Sequence, residues 1–135
     1  MGVWQGRPRR KRTGARLRPL RKKRRFEIAR EAQFATVGPG TIKTYRVRGA
    51  NQKLRILTAS TINVYDPATK STRRAKVVTV RANPANPNYV QRNIITRGAV
   101  VETEIGLVRV TSRPGQHGLL NGVRVESPGP SSPSA

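Results

Sequence analysis

The chain has 135 residues, enough for one domain with extensions, and its 28 Lys and Arg against 6 Asp and Glu give a formal net charge of +22. It has no cysteine, which excludes disulfides, cysteine-based metal sites and thiol chemistry. The sequence has neither the apolar stretch of a secretory signal nor a run of about 18 apolar residues. We therefore expect a soluble protein with no membrane association.

The first thirty residues form a basic arm. Residues 1–30 contain thirteen Lys or Arg and a single acid, Glu27. Each unpaired buried cation would cost on the order of several kcal/mol, so the arm needs a polyanion rather than a core. Pro8 and Pro19 favour an extended path, whereas residues 21–34 are rich in helix formers and permit a short helix. We expect an arm that is largely irregular and ordered only on its partner.

Residues 31–126 contain the amino acids that can build a core. Val and Ile number nineteen there and Leu only five, a bias that favours strands. Short apolar runs separated by turn residues are typical of a small all-β barrel or sandwich, and the lean core favours a small β-barrel. The predicted strands cover residues 41–48, 54–59, 61–65, 75–81, 98–104, 107–111 and 123–126.

Turn residues separate these predicted strands. Asp66-Pro67, the Asn/Pro-rich loop 83–88 and Arg113-Pro114-Gly115 all have turn chemistry. Ile105-Gly106 lies between two alternating runs and is interpreted as a two-residue hairpin loop. The remaining segment, SPGPSSPSA, predicts a disordered tail. The predicted organisation is thus a basic extension (1–30), a β-barrel domain (31–126) and a disordered Ser/Pro tail (127–135).

The cations of the basic arm are candidates for binding phosphate. Guanidinium groups match phosphate oxygens two at a time, and Trp4 has a ring that can stack on an unpaired base at about 1–3 kcal/mol. An irregular arm containing Gly and Pro favours RNA over DNA. A solvated tail or a nuclear-targeting run is the alternative interpretation. The candidate arm residues are Trp4, Arg7, Arg9, Arg10, Lys11, Arg12, Arg16, Arg18, Arg21, Lys22, Lys23, Arg24 and Arg25.

Further cations lie on or beside the predicted strands. On one face of the barrel they would extend an RNA-binding surface, and if scattered they would be ordinary solubilising charge. They are Lys43, Arg46, Arg48, Lys53, Arg55, Lys70, Arg73, Arg74, Lys76 and Arg81.

Few residues offer catalytic or metal chemistry. Glu102 and Glu104 are predicted on one face of a strand, where a solvated face or pairing with Arg109 explains them better than acid/base catalysis. His117 is the only histidine and lies in a Gly-flanked turn, so a metal centre or a catalytic triad is not expected. No glycine-rich nucleotide loop is present. We predict no enzymatic activity, no cofactor and no small-molecule substrate.

Three stretches of the basic arm resemble the amino-terminal signature of the ribosomal protein S8e family. They are GVWQGR at 2–7, RKRTGA at 10–15 and KKRRFE at 22–27. NPAN at 83–86 and the stretch 89–122, which includes NIITRGAVVETEIGLVRVTSRPGQHG, are similar to the carboxy-terminal half of the same family. The resemblance covers residues 2–125, and the short chain is similar to the archaeal form. Ile28 and the Ser/Pro tail depart from the family pattern.

The resemblance implies a small-subunit ribosomal protein with a compact β-barrel and a basic extension that runs into 16S-type rRNA. It implies a cytoplasmic ribosome as the location, other small-subunit ribosomal proteins as neighbours, and no activity or cofactor. Carried over by motif, the arm residues from Trp4 to Arg25 become rRNA contacts, and Arg92, Arg97 and Arg113 are further candidates. A transient assembly factor and a DNA-compacting protein are the alternatives.

Overall fold

The computed structural model describes residues 3–125, so the predicted disordered tail lies outside the described residues. The chain divides into two compact units, with the boundary between Ala32 and Gln33. Among the described residues, no helix is both long and apolar enough to span a membrane.

The structure is dominated by strands, with only single turns of helix. The helical elements are α1 (Asn88–Gln91), α2 (Pro114–His117) and the 3₁₀ turns Arg25–Glu27 and Arg48–Ala50. The strands are β1 (Val3–Trp4), β2 (Ile28–Ala29), β3 (Ala35–Val37), β4 (Thr41–Arg46), β5 (Gln52–Ala59), β6 (Thr61–Asp66), β7 (Ser71–Ala82), β8 (Ile94–Ile95), β9 (Val100–Thr103), β10 (Gly106–Val110) and β11 (Asn121–Arg124).

Five strands of the larger unit close into a barrel in the order β10-β11-β6-β7-β9. Four of the five pairings are antiparallel, and the parallel pairing of β11 with β6 joins the end of the chain to its middle. β-Branched residues alternate along these strands and fill the interior, where Val101 and Val108 are fully buried and Ile62 is 1% exposed. The predicted all-β fold with a small barrel is confirmed.

A second sheet, in the order β4-β5-β3-β8, belongs to the same unit. β4 and β5 form a long antiparallel hairpin, while β3 runs parallel to β5 and antiparallel to β8. Ala35, Ile56 and Ile95 from this sheet belong to the same buried cluster as the barrel interior. The two sheets therefore share one hydrophobic core.

Two asparagines form side-chain hydrogen bonds within the segment between β7 and β9 and to β7 itself. The Asn83 side chain is buried; its amide donates to the Ile94 carbonyl at 3.1 Å, and its oxygen accepts from the backbone N–H of Ala85 at 3.1 Å. Asn93 adopts a left-handed φ of 49°, and its side-chain oxygen accepts from the Val80 backbone N–H at 3.2 Å. The Asn83 bonds satisfy a buried polar side chain and stabilise the turn at the start of the loop 83–88, and the Asn93 bond ties this residue to β7.

The predicted hairpin loop at Ile105-Gly106 is wrong by one residue. Thr103 pairs with Gly106, so the two loop residues are Glu104 and Ile105. Gly106 is the first residue of β10, and its φ of 130° is one that glycine adopts without strain. The Thr103 hydroxyl donates to the Gly106 carbonyl at 2.8 Å and stabilises this register.

Where the sequence permits a short helix, over residues 21–34, the structure has only the 3₁₀ turn Arg25–Glu27 followed by β2. Like charges crowd this stretch and oppose a longer helix. Pairing of β2 with β1 also gives the backbone of Ile28 and Ala29 extended partners. The short strands β1, β2, β3 and β8 were not predicted.

Candidate nucleic-acid interface

The amino-terminal unit is held together by backbone bonds at both ends of a long loop. At its base, β1 and β2 pair Val3 with Ala29 and Trp4 with Ile28. At its tip, the Leu17 N–H donates to the Arg9 carbonyl at 2.7 Å, and the Lys11 N–H donates to the Ala15 carbonyl at 2.8 Å. Because Gly14 is at a φ of 84°, the tip can turn tightly. The arm is largely irregular, as predicted, but backbone hydrogen bonds fix its base and its tip.

Trp4 organises the start of the arm. Its indole N–H donates to the Arg7 carbonyl at 3.1 Å, and Lys23 Nζ lies 5.5 Å from the ring centroid. Gly6 lies against the ring so closely that a Cβ there would be 2.3 Å from a ring carbon. The structure therefore assigns Trp4 a packing role within the arm, and stacking of Trp4 on a base stays a prediction.

An open groove of about 1180 Å³ runs along the amino-terminal unit. All thirteen cations of the basic arm are exposed, and Glu27 is the only acid that lines the groove. Glu27 pairs with Arg21, so the other cations of the groove keep their positive charge available. We call the seven of them the groove cations: Arg7, Arg9, Arg10, Arg16, Arg18, Lys22 and Lys23.

The charge of this groove suits an anionic ligand better than it suits packing against another part of a protein. Exposed like charges at this density repel one another, and an anionic chain with repeated phosphates would relieve that repulsion along its length. Arginine forks bind phosphate oxygens in pairs, and five of the seven groove cations are arginines. Lys11, Arg12, Arg24 and Arg25 are exposed but do not line the groove.

The predicted cations of the larger unit do not share one face. On the hairpin of β4 and β5, Lys43 is paired with Arg55 and Arg46 with Gln52. Lys43 and Arg46 are three residues apart, and alternate residues of a strand point to opposite sides, so these two cations lie on opposite faces. Lys43 and Arg55 both approach the ring of Tyr45, at 5.5 and 4.9 Å from its centroid.

The other candidates are dispersed over the larger unit. Arg73 and Arg74 are consecutive on β7 and therefore point in opposite directions, whereas Arg92 and Arg97 flank β8. Arg113 precedes α2, and its backbone N–H donates to Nδ1 of His117 at 3.3 Å. We call seven exposed arginines of this unit the barrel cations: Arg46, Arg48, Arg73, Arg74, Arg92, Arg97 and Arg113.

The carboxylates of the barrel pair with cations. Glu102 accepts from Arg81 at 2.8 Å, and this hydrogen bond and the opposite charges raise the pKa of Arg81. Glu104 lies 3.8 Å from Lys76. Of the two interpretations of these acids, a solvated face or a pairing with Arg109, the second is wrong, because Glu102 faces Leu107 across the hairpin and Arg109 faces Val100.

These contacts leave no acid/base pair. Glu104 lies in the loop rather than on the strand with Glu102, and each of the two acids has a cation partner. Within residues 3–125, no cluster of three or more His, Asp or Glu side chains has metal-binding geometry. The structure instead brings together arginines and lysines.

A closed β-barrel with an exposed polycationic extension defines a basic class of protein suited to an anionic polymer. Comparison with known proteins specifies the family: the sequence model of the family described as Ribosomal protein S8e matches residues 4–125. The chain belongs to the ribosomal protein S8e family. This is a family of structural ribosomal proteins, so the chain is not an enzyme.

Archaeal relatives agree with this assignment. The protein named small ribosomal subunit protein eS8 from Halobacterium salinarum is 51% identical over 124 residues, covering 91% of this chain and 98% of the relative. Proteins of the same name from Nanoarchaeum equitans and Picrophilus torridus are 49% and 46% identical. Each alignment covers 91% of this chain, with 97% and 98% of the respective relative. The similarity thus includes both the basic arm and the barrel.

Proposed function

We propose that the protein is a structural constituent of the small ribosomal subunit and that it binds 16S-type rRNA. In this proposal the basic arm and the barrel each contact rRNA, beside other small-subunit proteins of the cytoplasmic ribosome. Their joint effect is to support assembly of the subunit and, through it, translation. The relatives are named as small-subunit proteins, and they align with this chain over nearly their whole length. Both facts support this location.

One observation carries the rRNA-binding part of the proposal: the groove of the amino-terminal unit. Eight arginines and lysines line it against one acid, and every one of these cations is exposed. An rRNA backbone supplies closely spaced phosphates that can bind several of these cations at once. Because the unit has few backbone bonds beyond its base and tip, it can adjust to an irregular RNA surface.

The barrel contributes a different kind of contact. Its core is buried and its exposed arginines lie on several elements, so it offers a rigid body with separate points of attachment. Arg46 is the last residue of β4 and Arg48 lies in the turn that joins β4 to β5, so both are at the tip of this hairpin. We infer that the barrel anchors the protein and that the basic arm supplies most of the electrostatic attraction.

Sedimentation tests this proposal. In a sucrose gradient of a cell extract, we expect the protein in mature small subunits at a level close to that of other small-subunit proteins. It should remain there after a salt wash that removes loosely bound factors. A known assembly factor run in the same gradient serves as the control. Finding the protein only in precursor particles, in large subunits or on chromatin would contradict the proposal.

A further inference from the structure

The outer face of the barrel has an exposed tyrosine. Tyr65 is 41% exposed on β6, where Ile62 and Val64 point into the core. Across the sheet, Val123 of β11 lies on one side of Tyr65 and Thr72 of β7 on the other. The ring therefore lies on the outer surface between β11 and β7, one residue before the end of β6.

Every other described aromatic residue has a partner at its ring. Phe34 and Tyr89 pack together with 5.1 Å between their centroids, and Tyr45 has Lys43 and Arg55 at its ring. Lys23 and Arg21 lie over Trp4 and Phe26. Within residues 3–125, no cation, second ring or side-chain hydrogen bond engages Tyr65. Its ring is thus available to stack on a planar group.

An amide pair lies beside this ring. Asn63, two residues before Tyr65 on β6, is on the same outer face. Its side-chain amide donates to the side-chain oxygen of Asn121 at 3.0 Å across the parallel pairing of β6 with β11. The pair retains an amide oxygen on Asn63 and an amide N–H on Asn121, which can accept from and donate to the edge of a base.

Two arginines give this face a positive charge. Arg74 is the β7 partner of Asn63, and Arg109 of β10 is the partner of Val123. Both are exposed, and neither forms an ion pair with an acid of the described residues. The acid next to Tyr65 in the chain, Asp66, is already paired with Arg124 at 3.1 Å. Phosphates on either side of a stacked base would therefore meet unpaired cations.

We propose that this face binds an unpaired nucleotide of RNA, with its base stacked on Tyr65. The amides of Asn63 and Asn121 contact the base edge, and Arg74 and Arg109 bind flanking phosphates. We call this set of five residues the Tyr65 platform. A base within a duplex has both faces covered by its neighbours, so the platform selects a looped-out or single-stranded nucleotide. The inference rests on the proposed function and adds a place and a type of RNA contact to it.

The test compares two full-length variants on two RNA probes. Fluorescence anisotropy measures binding to single-stranded oligouridine, whose bases do not stack on one another, and to an RNA duplex of equal length. Raised salt weakens the contribution of the basic arm and makes stacking easier to detect. We expect Tyr65→Leu to weaken oligouridine binding by about 5- to 150-fold and to leave duplex binding unchanged. The matched variant Tyr65→Phe, which keeps the ring, should bind like wild type.

Salt dependence separates stacking from charge. Tyr65→Leu should lower the affinity without altering the slope of log affinity against log salt, whereas Arg74→Gln should make the slope for oligouridine shallower by about 0.7. In NMR spectra of the wild-type chain, the ring protons of Tyr65 should shift upfield when oligouridine is added. This measurement does not depend on any variant folding correctly.

Two results would overturn the inference. One is wild-type affinity of Tyr65→Leu for oligouridine while wild type itself binds RNA, and the other is an equal loss of affinity for oligouridine and duplex. Either result leaves the proposed function intact. Failure of the wild-type chain to bind any RNA would overturn the proposed function and this inference with it.

Discussion

Changing the seven groove cations to glutamine is expected to abolish most of the salt dependence of rRNA binding. If the protein makes roughly ten phosphate contacts, log affinity should fall with log salt at a slope of about −7 to −9. Removing seven contacts should make this slope shallower by about 5 to 6, since each contact contributes about 0.7 to 0.9. Filter binding to small-subunit rRNA over a range of salt concentrations measures this slope.

A matched control exists in the larger unit. The barrel cations are also seven in number and also exposed, so changing them to glutamine removes the same charge from the other part of the chain. We expect a smaller change of slope, because these arginines are dispersed over several elements rather than gathered along one groove. A slope change in the barrel variant as large as that in the groove variant would contradict the main role of the basic arm.

Gly122→Val is expected to destabilise the barrel by about 3 kcal/mol. Gly122 is buried on β11, and a Cβ there would lie 2.4 Å from Cγ1 of Val108 and 2.9 Å from the Arg109 carbonyl oxygen. A backbone oxygen cannot rotate away, so β10 and β11 would have to separate and open the barrel. Urea denaturation followed by circular dichroism measures the free energy of unfolding.

Gly40→Val is the control for this substitution. A Cβ at Gly40 meets no atom within 4 Å, and the residue is exposed. We expect a change of less than about 1 kcal/mol in the free energy of unfolding. Equal losses of unfolding free energy in the two variants would show that the close contacts around Gly122 are not the cause of the destabilisation.

The barrel could be predicted because its signal is local. β-Branched residues alternate along β6, β7, β9 and β10, and turn residues separate the runs. The two-residue strands could not be predicted in this way, since Val3–Trp4 and Ile28–Ala29 are extended only through pairing with each other across about twenty residues of arm. The hairpin of β9 and β10 was misplaced because Gly106 looks like a loop residue but belongs to a strand.

The candidate site, like the fold, could be predicted only in part. Exposure of the arm cations follows from charge density alone, and the structure agrees with it. The partners of Glu102 depend on the register shifts between β7 and β9, which no local pattern reveals. The Tyr65 platform was missed, although alternation with Ile62 and Val64 already places Tyr65 and Asn63 on the outer face. Only the pairing of β6 with β11 brings Asn121 beside them.

Ultraviolet cross-linking within purified small subunits tests most directly whether the protein is held on rRNA through its basic arm. After irradiation, digestion and mass spectrometry, we expect peptides from residues 7–25 to carry nucleotides of small-subunit rRNA. No cross-link should map to the fully buried side chains of Val101 and Val108 themselves, which serve as the internal control. Cross-links confined to the barrel, or an intact subunit in which the arm peptides remain unmodified, would contradict the account.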